Sequence, residues 1–263
     1  MNTIDIDLYE QLKSVATRRQ SVRGFDKGRD VPQHYIEKMI DIARTAPSAA
    51  NAQPWEFVIV RDKDMRQQFA KLYMKQHEEK REMEKAVRSQ VRMTGPGFQH
   101  APVHIVVVGD PRSKESLPIR TALEKADKHL TTGLSNATML LHLAAASLGL
   151  ASQYVSDASS PYMSTMIKHW LHIPQSYVVY ELIPVGYALK YPQPTPRRAL
   201  EEIIHWDCFD PAKFRNEEQY QQFLVNQTRV GAYGKAFQEA SADEVGLMLD
   251  ETDAKQRLKQ LEE

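Results

Sequence analysis

The chain has 263 residues, 42% hydrophobic and 26% charged, a balance that supports a substantial core in one domain with elaborations, or at most two domains. Lys plus Arg and Asp plus Glu both number 34, so no global field draws in nucleic acid or an anionic membrane. The single cysteine, Cys208, excludes an intramolecular disulfide, MNTIDIDLYE lacks the order of a secretory signal, and no apolar run approaches the ~20 residues that span a bilayer, so the expectation is a soluble cytoplasmic protein.

In chain order, IDIDLYEQLKSVATRR spaces Ile4, Leu8, Leu12 and Val15 as on one helix face, acidic early and basic late as the dipole prefers. The stretch RRQSVRGFD follows directly, with three arginines in six residues. In an extended backbone, side chains alternate, so Arg19, Ser21 and Arg23 would share one side. Two guanidinium groups and a hydroxyl suit a phosphate, although a helix end with solvated arginines is an equally good reading of these residues alone. Gly24 then permits the backbone to turn away. VPQHYIEKMIDIARTAPS predicts a second helix, bounded by Pro32 and Pro47.

APSAANAQPWEFVIV places Asn51 and Gln53 two apart before a proline and a buried strand. Amides that donate and accept suit a ligand with imide-like edges such as a flavin, and plain helix termination explains the loop as well. The next run, DKDMRQQFAKLYMKQHEEKREMEKAVRSQ, predicts a long charged helix whose EEKREMEK segment reads as a solvated face or as a lid. APVHIVVVGD is a second buried strand, and Arg120 to Leu148 is one long helix with apolar steps of three and four. That helix belongs in the core or at a subunit interface. ASQYVSD and YVVYELIPVGYAL read as two further strands around the short helix SPYMSTMIKHWL. Strands and helices do not alternate as βαβ units do, so the fold class is α+β, a sheet covered by helices. Pro192, Pro194, Pro196 and Pro211 predict an extended connection broken by the ALEEIIHW element, and the residues from about Phe214 read as charged and helical.

Other constellations carry less. His100 with His104, and His169 with His172, have no third ligand arranged nearby for a metal. Cys208 beside His205 in HWDC is expected to be a packed cysteine rather than a nucleophile. Neither a P-loop nor a dinucleotide glycine fingerprint occurs.

RRQSVRGFD followed by APSAANAQPWEFVIV resembles the flavin-dependent nitroreductase family, whose members carry Arg-x-Ser-x-Arg/Lys-x-Phe and then Pro-Ser-x-x-Asn-x-Gln-Pro-Trp. LGLASQYVSD, ELIPVGYAL and PTPRRALEEIIHW extend the resemblance over residues 10–207. The resemblance implies a nitroreductase-like fold: a central, mainly antiparallel sheet flanked by helices, in an intertwined homodimer. Residues 1–263 would form one domain, with 188–263 as a C-terminal arm. FMN would be the cofactor and NADH or NADPH the electron donor. By the same resemblance Arg19, Gln20, Ser21 and Arg23 would hold the FMN phosphate and ribityl chain, with Arg197 and Arg198 completing the phosphate site. Pro47, Ser48, Asn51 and Gln53 would approach the ring, the loop coming from the other subunit, and Tyr154, Val155 and Ser156 would line the flavin N5 region. The implied activity is ping-pong reduction of nitroaromatics, quinones or related electron-poor small molecules. A non-enzymatic flavin binder, or a same-fold enzyme of reductive dehalogenation or flavin fragmentation, is the alternative; neither nucleic acid nor membrane is an expected partner.

Overall fold

A computed structural model of the chain describes residues 6–87, 97–192, 194 and 196–226, and the chain divides into two compact units. The first comprises, among the described residues, 6–75 and 97–192; the second comprises 76–87, 194 and 196–226.

The first unit is built on a four-stranded sheet of order β1-β2-β4-β3, every neighbouring pair antiparallel. β1 is Trp55–Val60, β2 Val103–Gly109, β3 Ala151–Ser152 and β4 Val178–Gly186. β2 and most of β4 lie inside the sheet with both faces covered, which is why both read as unbroken β-branched runs. On one face pack α2 (Gln33–Ala43) and α4 (Ile119–Ser147), whose Ile36, Met39, Leu134, Ala137 and Leu141 meet Ile105, Val107 and Ile183. On the other face, Phe69 from α3 (Lys63–Val87) joins Met163, Met166 and Ile167 of α5 (Pro161–Trp170) against Val106 and Leu182. Each fully buried side chain of this size contributes about 1.5–3 kcal/mol of transfer free energy. The α+β class expected from the sequence is thus observed, as is the long helix, within a residue of its expected start.

One of the expected helices lies outside the core, and one expected strand is shorter than its sequence suggests. The first helix, α1 (Ile6–Arg18), forms as expected but buries none of its side chains, and Leu8 and Leu12 are exposed in a single chain. The ASQYVSD stretch pairs as a regular strand only at Ala151 and Ser152. The next partner on β4 is Pro184, which has no N–H to donate, so Gln153 can only give its own N–H to the Pro184 carbonyl, at 3.2 Å.

The second unit contains α6 (Leu200–Ile203) and α7 (Glu217–Asn226), joined through a turn at Pro211–Lys213. Arg215 lies over the rings of Tyr220 and Phe223, 5.3 and 4.9 Å from their centroids. Cys208 is exposed, not packed as expected. It sits in a tight turn beside exposed Trp206 and Phe209, and no core forms around it. His205 stacks on Phe209 and its Nδ1 accepts the Asp210 N–H, so the HWDC histidine is engaged by backbone rather than by the thiol. The backbone of the EEKREMEK segment is helical to Val87; the side chains that would decide between face and lid lie outside the described residues, as does the chain after residue 226.

Candidate functional site

Ser21 forms a parallel bridge with Ser152, and the Val22 N–H donates to the Ser152 carbonyl at 3.1 Å. RRQSVRGFD is therefore extended, laid along the free side of β3. Its far end crosses to the chain that follows β4: Phe25 bridges Ala188, the Asp26 N–H donates to the Tyr187 carbonyl, and the Leu189 N–H to the Gly24 carbonyl. Val22 and Phe25 are fully buried and anchor the segment in the core, which leaves its polar residues on the outer side. Arg19, Gln20 and Ser21 are half-buried and Arg23 is exposed, with Nη1 donating to the Ser21 carbonyl at 3.4 Å. Arg19 has no carboxylate partner among the described residues.

The glycine that this backbone requires is not the one in the motif. Gly24 has an ordinary φ and open space where a Cβ would stand, whereas a Cβ on Gly97 would lie 1.7 Å from the Arg23 carbonyl oxygen. Gly97 opens the short turn Gly97–His100, and only its bare backbone lets that turn close against Arg23. The signal was present in the sequence as TGPGFQH, but nothing in it says which distant strand needs the room. In the same turn, Phe98 offers its carbonyl to the fully buried His104, whose Nε2 donates to it at 3.0 Å; burial holds His104 neutral. His104 is thus a core histidine between Phe69 and Phe98.

The loop Pro47–Pro54 is tied down on several sides. Asn136 of α4 donates to the Pro47 carbonyl at 3.0 Å, Ser48 Oγ accepts the Gln53 N–H at 3.0 Å, and the Pro54 carbonyl accepts the Asp110 N–H at 2.8 Å. Inside this frame Ala50, Asn51 and Gln53 have φ of 53°, 52° and 46°, the left-handed region that residues other than glycine seldom enter. Pro47, Asn51 and Gln53 are exposed and Ser48 half-buried, so both amides stand at the surface, Gln53 with Nε2 3.3 Å from the Asn51 carbonyl.

Tyr154 follows β3 and is half-buried, Val155 is buried with its N–H on the Leu182 carbonyl, and Ser156 is exposed. Behind them is a polar cluster that no motif announced. His142 of α4, 2% exposed, holds Ser152 Oγ with Nδ1 at 2.7 Å and stacks on Tyr154 with ring centroids 5.0 Å apart. Burial, with the Arg19 charge adding, pushes the His142 pKa down to about 3. Its Nε2 has no partner among the described residues. The Tyr154 hydroxyl faces those of Tyr180 and Thr138, and burial pushes its pKa up. Arg19, Ser21 and the residues 154–156 are therefore brought to one end of the sheet.

Arg197 and Arg198 belong to the second unit. Arg197 is exposed, and Arg198 donates to the Glu202 carbonyl at 2.9 Å, with Nε 3.4 Å from the Glu202 carboxylate. As a donor set, Arg19, Ser21 and Arg23 suit an anion such as a phosphate, since the segment is extended and the half-buried Arg19 guanidinium has no carboxylate partner among the described residues.

The profile of the Nitroreductase family matches residues 16–187. The chain belongs to the nitroreductase family. A relative from Methanothermobacter thermautotrophicus, provisionally named an NADH dehydrogenase/NAD(P)H nitroreductase, is 27% identical over 207 residues, 79% of this chain and 86% of that protein. Iodotyrosine deiodinase 1 of Mus musculus is 36% identical over 69 residues, 26% of this chain and 24% of that protein. Among solved structures, an FMN-dependent nitroreductase of Clostridium difficile superposes with a TM-score of 0.56 at 21% identity, covering 75% of this chain and 99% of that one, a likeness of fold. Within the nitroreductase family match lie the Arg19–Arg23 segment, the Pro47–Pro54 loop and residues 154–156. No helix among the described residues is long and apolar enough to cross a membrane.

Proposed function

We propose that this nitroreductase-family oxidoreductase holds FMN and uses NADH or NADPH to reduce nitroaromatic, quinone or related electron-poor acceptors, donor and acceptor taking turns at one place. The observation that carries the reading is the extended Arg19–Arg23 segment, laid parallel on Ser152 within the same sheet end as Tyr154–Ser156. Arg19, Ser21 and Arg23 would take the phosphate, Gln20 the ribityl chain, and Arg197 with Arg198 would add to the phosphate site. Tyr154, Val155 and Ser156 would line the reactive edge of the ring, and Pro47, Ser48, Asn51 and Gln53 would meet the ring from a second subunit. When bound, FMN supplies the hydride chemistry; the chain's part is to bind, orient and exclude water. The exposed apolar residues of α1 support a homodimer.

The purified protein is expected to be yellow and to bleach when NADH or NADPH is added without oxygen, with colour returning on addition of a quinone or nitroaromatic. A protein that takes up no FMN would falsify the reading. The local match to iodotyrosine deiodinase favours halophenols as a second acceptor class, so a halogenated tyrosine belongs in the same screen.

A further inference from the structure

β3 is the shortest of the four strands and supports the most at this site. It pairs with β4 at two positions, Ala151 with Gly186 and Ser152 with Val185, and beyond them Pro184 has no N–H to continue the ladder. Yet the Arg19–Arg23 segment rests on its outer edge: Ser21 bridges Ser152, and the Val22 N–H donates to the Ser152 carbonyl at 3.1 Å. A two-residue ladder gives such an edge little rigidity of its own.

The further support comes from α4. His142 Nδ1 and Ser152 Oγ lie 2.7 Å apart, and the same ring stacks on Tyr154, with centroids 5.0 Å apart and planes at 26°. Ser152 is therefore held on three sides: by β4, by the Val22 N–H and, through its hydroxyl, by the helix. For the core alone an imidazole is a poor choice. The neighbouring buried positions Leu141, Ala144 and Ala145 are apolar, His142 is 2% exposed, and its Nε2 has no hydrogen-bond partner among the described residues. A buried ring nitrogen without a partner costs free energy that a leucine or methionine of similar bulk would not. What such a residue would lose is the bond to Ser152. Burial keeps the ring neutral, so its part here is geometric rather than electrostatic.

We propose that His142 is a positioning residue of this site: through Ser152 it fixes the Arg19–Arg23 segment in the place where the FMN phosphate is received. The proposal rests on the FMN reading above. It differs from a packing role in predicting that the effect travels by one hydrogen bond and is felt by the phosphate end of the ligand.

His142→Phe keeps a ring to stack on Tyr154 but removes the bond to Ser152, and Ser152→Ala removes the same bond from its other end. Each variant is expected to weaken FMN binding about tenfold, followed by flavin fluorescence. The double variant should lose no more than either single one, because both changes remove one interaction. Riboflavin, which lacks the phosphate, should bind all four proteins equally well. His142→Asn, whose amide reaches the place of Nδ1, should return most of the FMN affinity. The flavin-free protein gives an independent readout: hydrogen exchange of the Val22 amide should quicken in both single variants, while that of Ile105 in the middle of the sheet does not. FMN and riboflavin affinities that fall together, FMN affinity that does not fall, additive losses in the double variant, or a Val22 amide exchanging as in wild type would each overturn the proposal while leaving the FMN reading intact. Should His142→Phe not fold, the comparison of FMN with riboflavin in Ser152→Ala decides by itself. A wild-type chain that binds neither flavin overturns both readings, and is recognised by its lack of colour.

Discussion

Arg19 is the residue on which the proposed phosphate site leans most. Its guanidinium is half-buried, lacks a carboxylate partner among the described residues, and lies close enough to His142 to oppose that ring's protonation. A charge-assisted hydrogen bond of the kind it offers is worth roughly 1.5–3 kcal/mol. Arg19→Ala is therefore expected to weaken FMN binding on the order of tenfold to a hundredfold, followed by flavin fluorescence, with a shift in melting temperature of the free protein too small to explain it. Loss of fold in the variant would refute that assignment. At this scale the sequence was partly legible. Period two put Arg19, Ser21 and Arg23 together, because alternation is a local rule of extended chains. His142 was hidden inside MLLHLAAASLGLA, where it reads as one more helix residue. Its role depends on Ser152 and Tyr154, which reach it only when α4 packs on β3.

At the scale of elements, the strands, the central helix and their order of appearance follow from composition and periodicity, while the lengths of pairing do not. β3 stops because of Pro184 on its neighbour, and the register shift between Val107 and Val108, which leaves Tyr180 of β4 unpaired, is a property of two strands together. Close approach is equally non-local. Gly97→Ala would push a methyl group into the Arg23 carbonyl, backbone that cannot rotate away. The expected cost is about 1–3 kcal/mol, seen as a lower urea midpoint, accompanied by weaker FMN retention as the Arg19–Arg23 segment shifts. Gly24→Ala, with open space around it, is the control and should change neither.

For the whole molecule, the exposed faces matter more than the core. Leu12 on α1 and Ile119 and Leu123 on α4 are 58, 82 and 84% exposed in the single chain, an apolar surface that would suit the second subunit of the proposed homodimer. Sedimentation is expected to give a mass of two chains, and Leu8→Glu with Leu12→Glu to shift it toward one while far-ultraviolet circular dichroism is retained. The single-chain form should also release FMN if the Pro47–Pro54 loop serves its partner. A wild-type protein of one-chain mass that binds FMN fully would contradict that arrangement.

The loop itself has a thermodynamic consequence. Ala50, Asn51 and Gln53 hold left-handed backbone conformations that cost on the order of 1 kcal/mol each, and the hydrogen bonds from Asn136 and to Ser48 Oγ and Pro54 keep them there. The chain meets this cost when it folds. A ligand that docked at the loop, as proposed for the flavin ring, would find little backbone freedom left to freeze, so its binding entropy would be less unfavourable than a pliable loop would give.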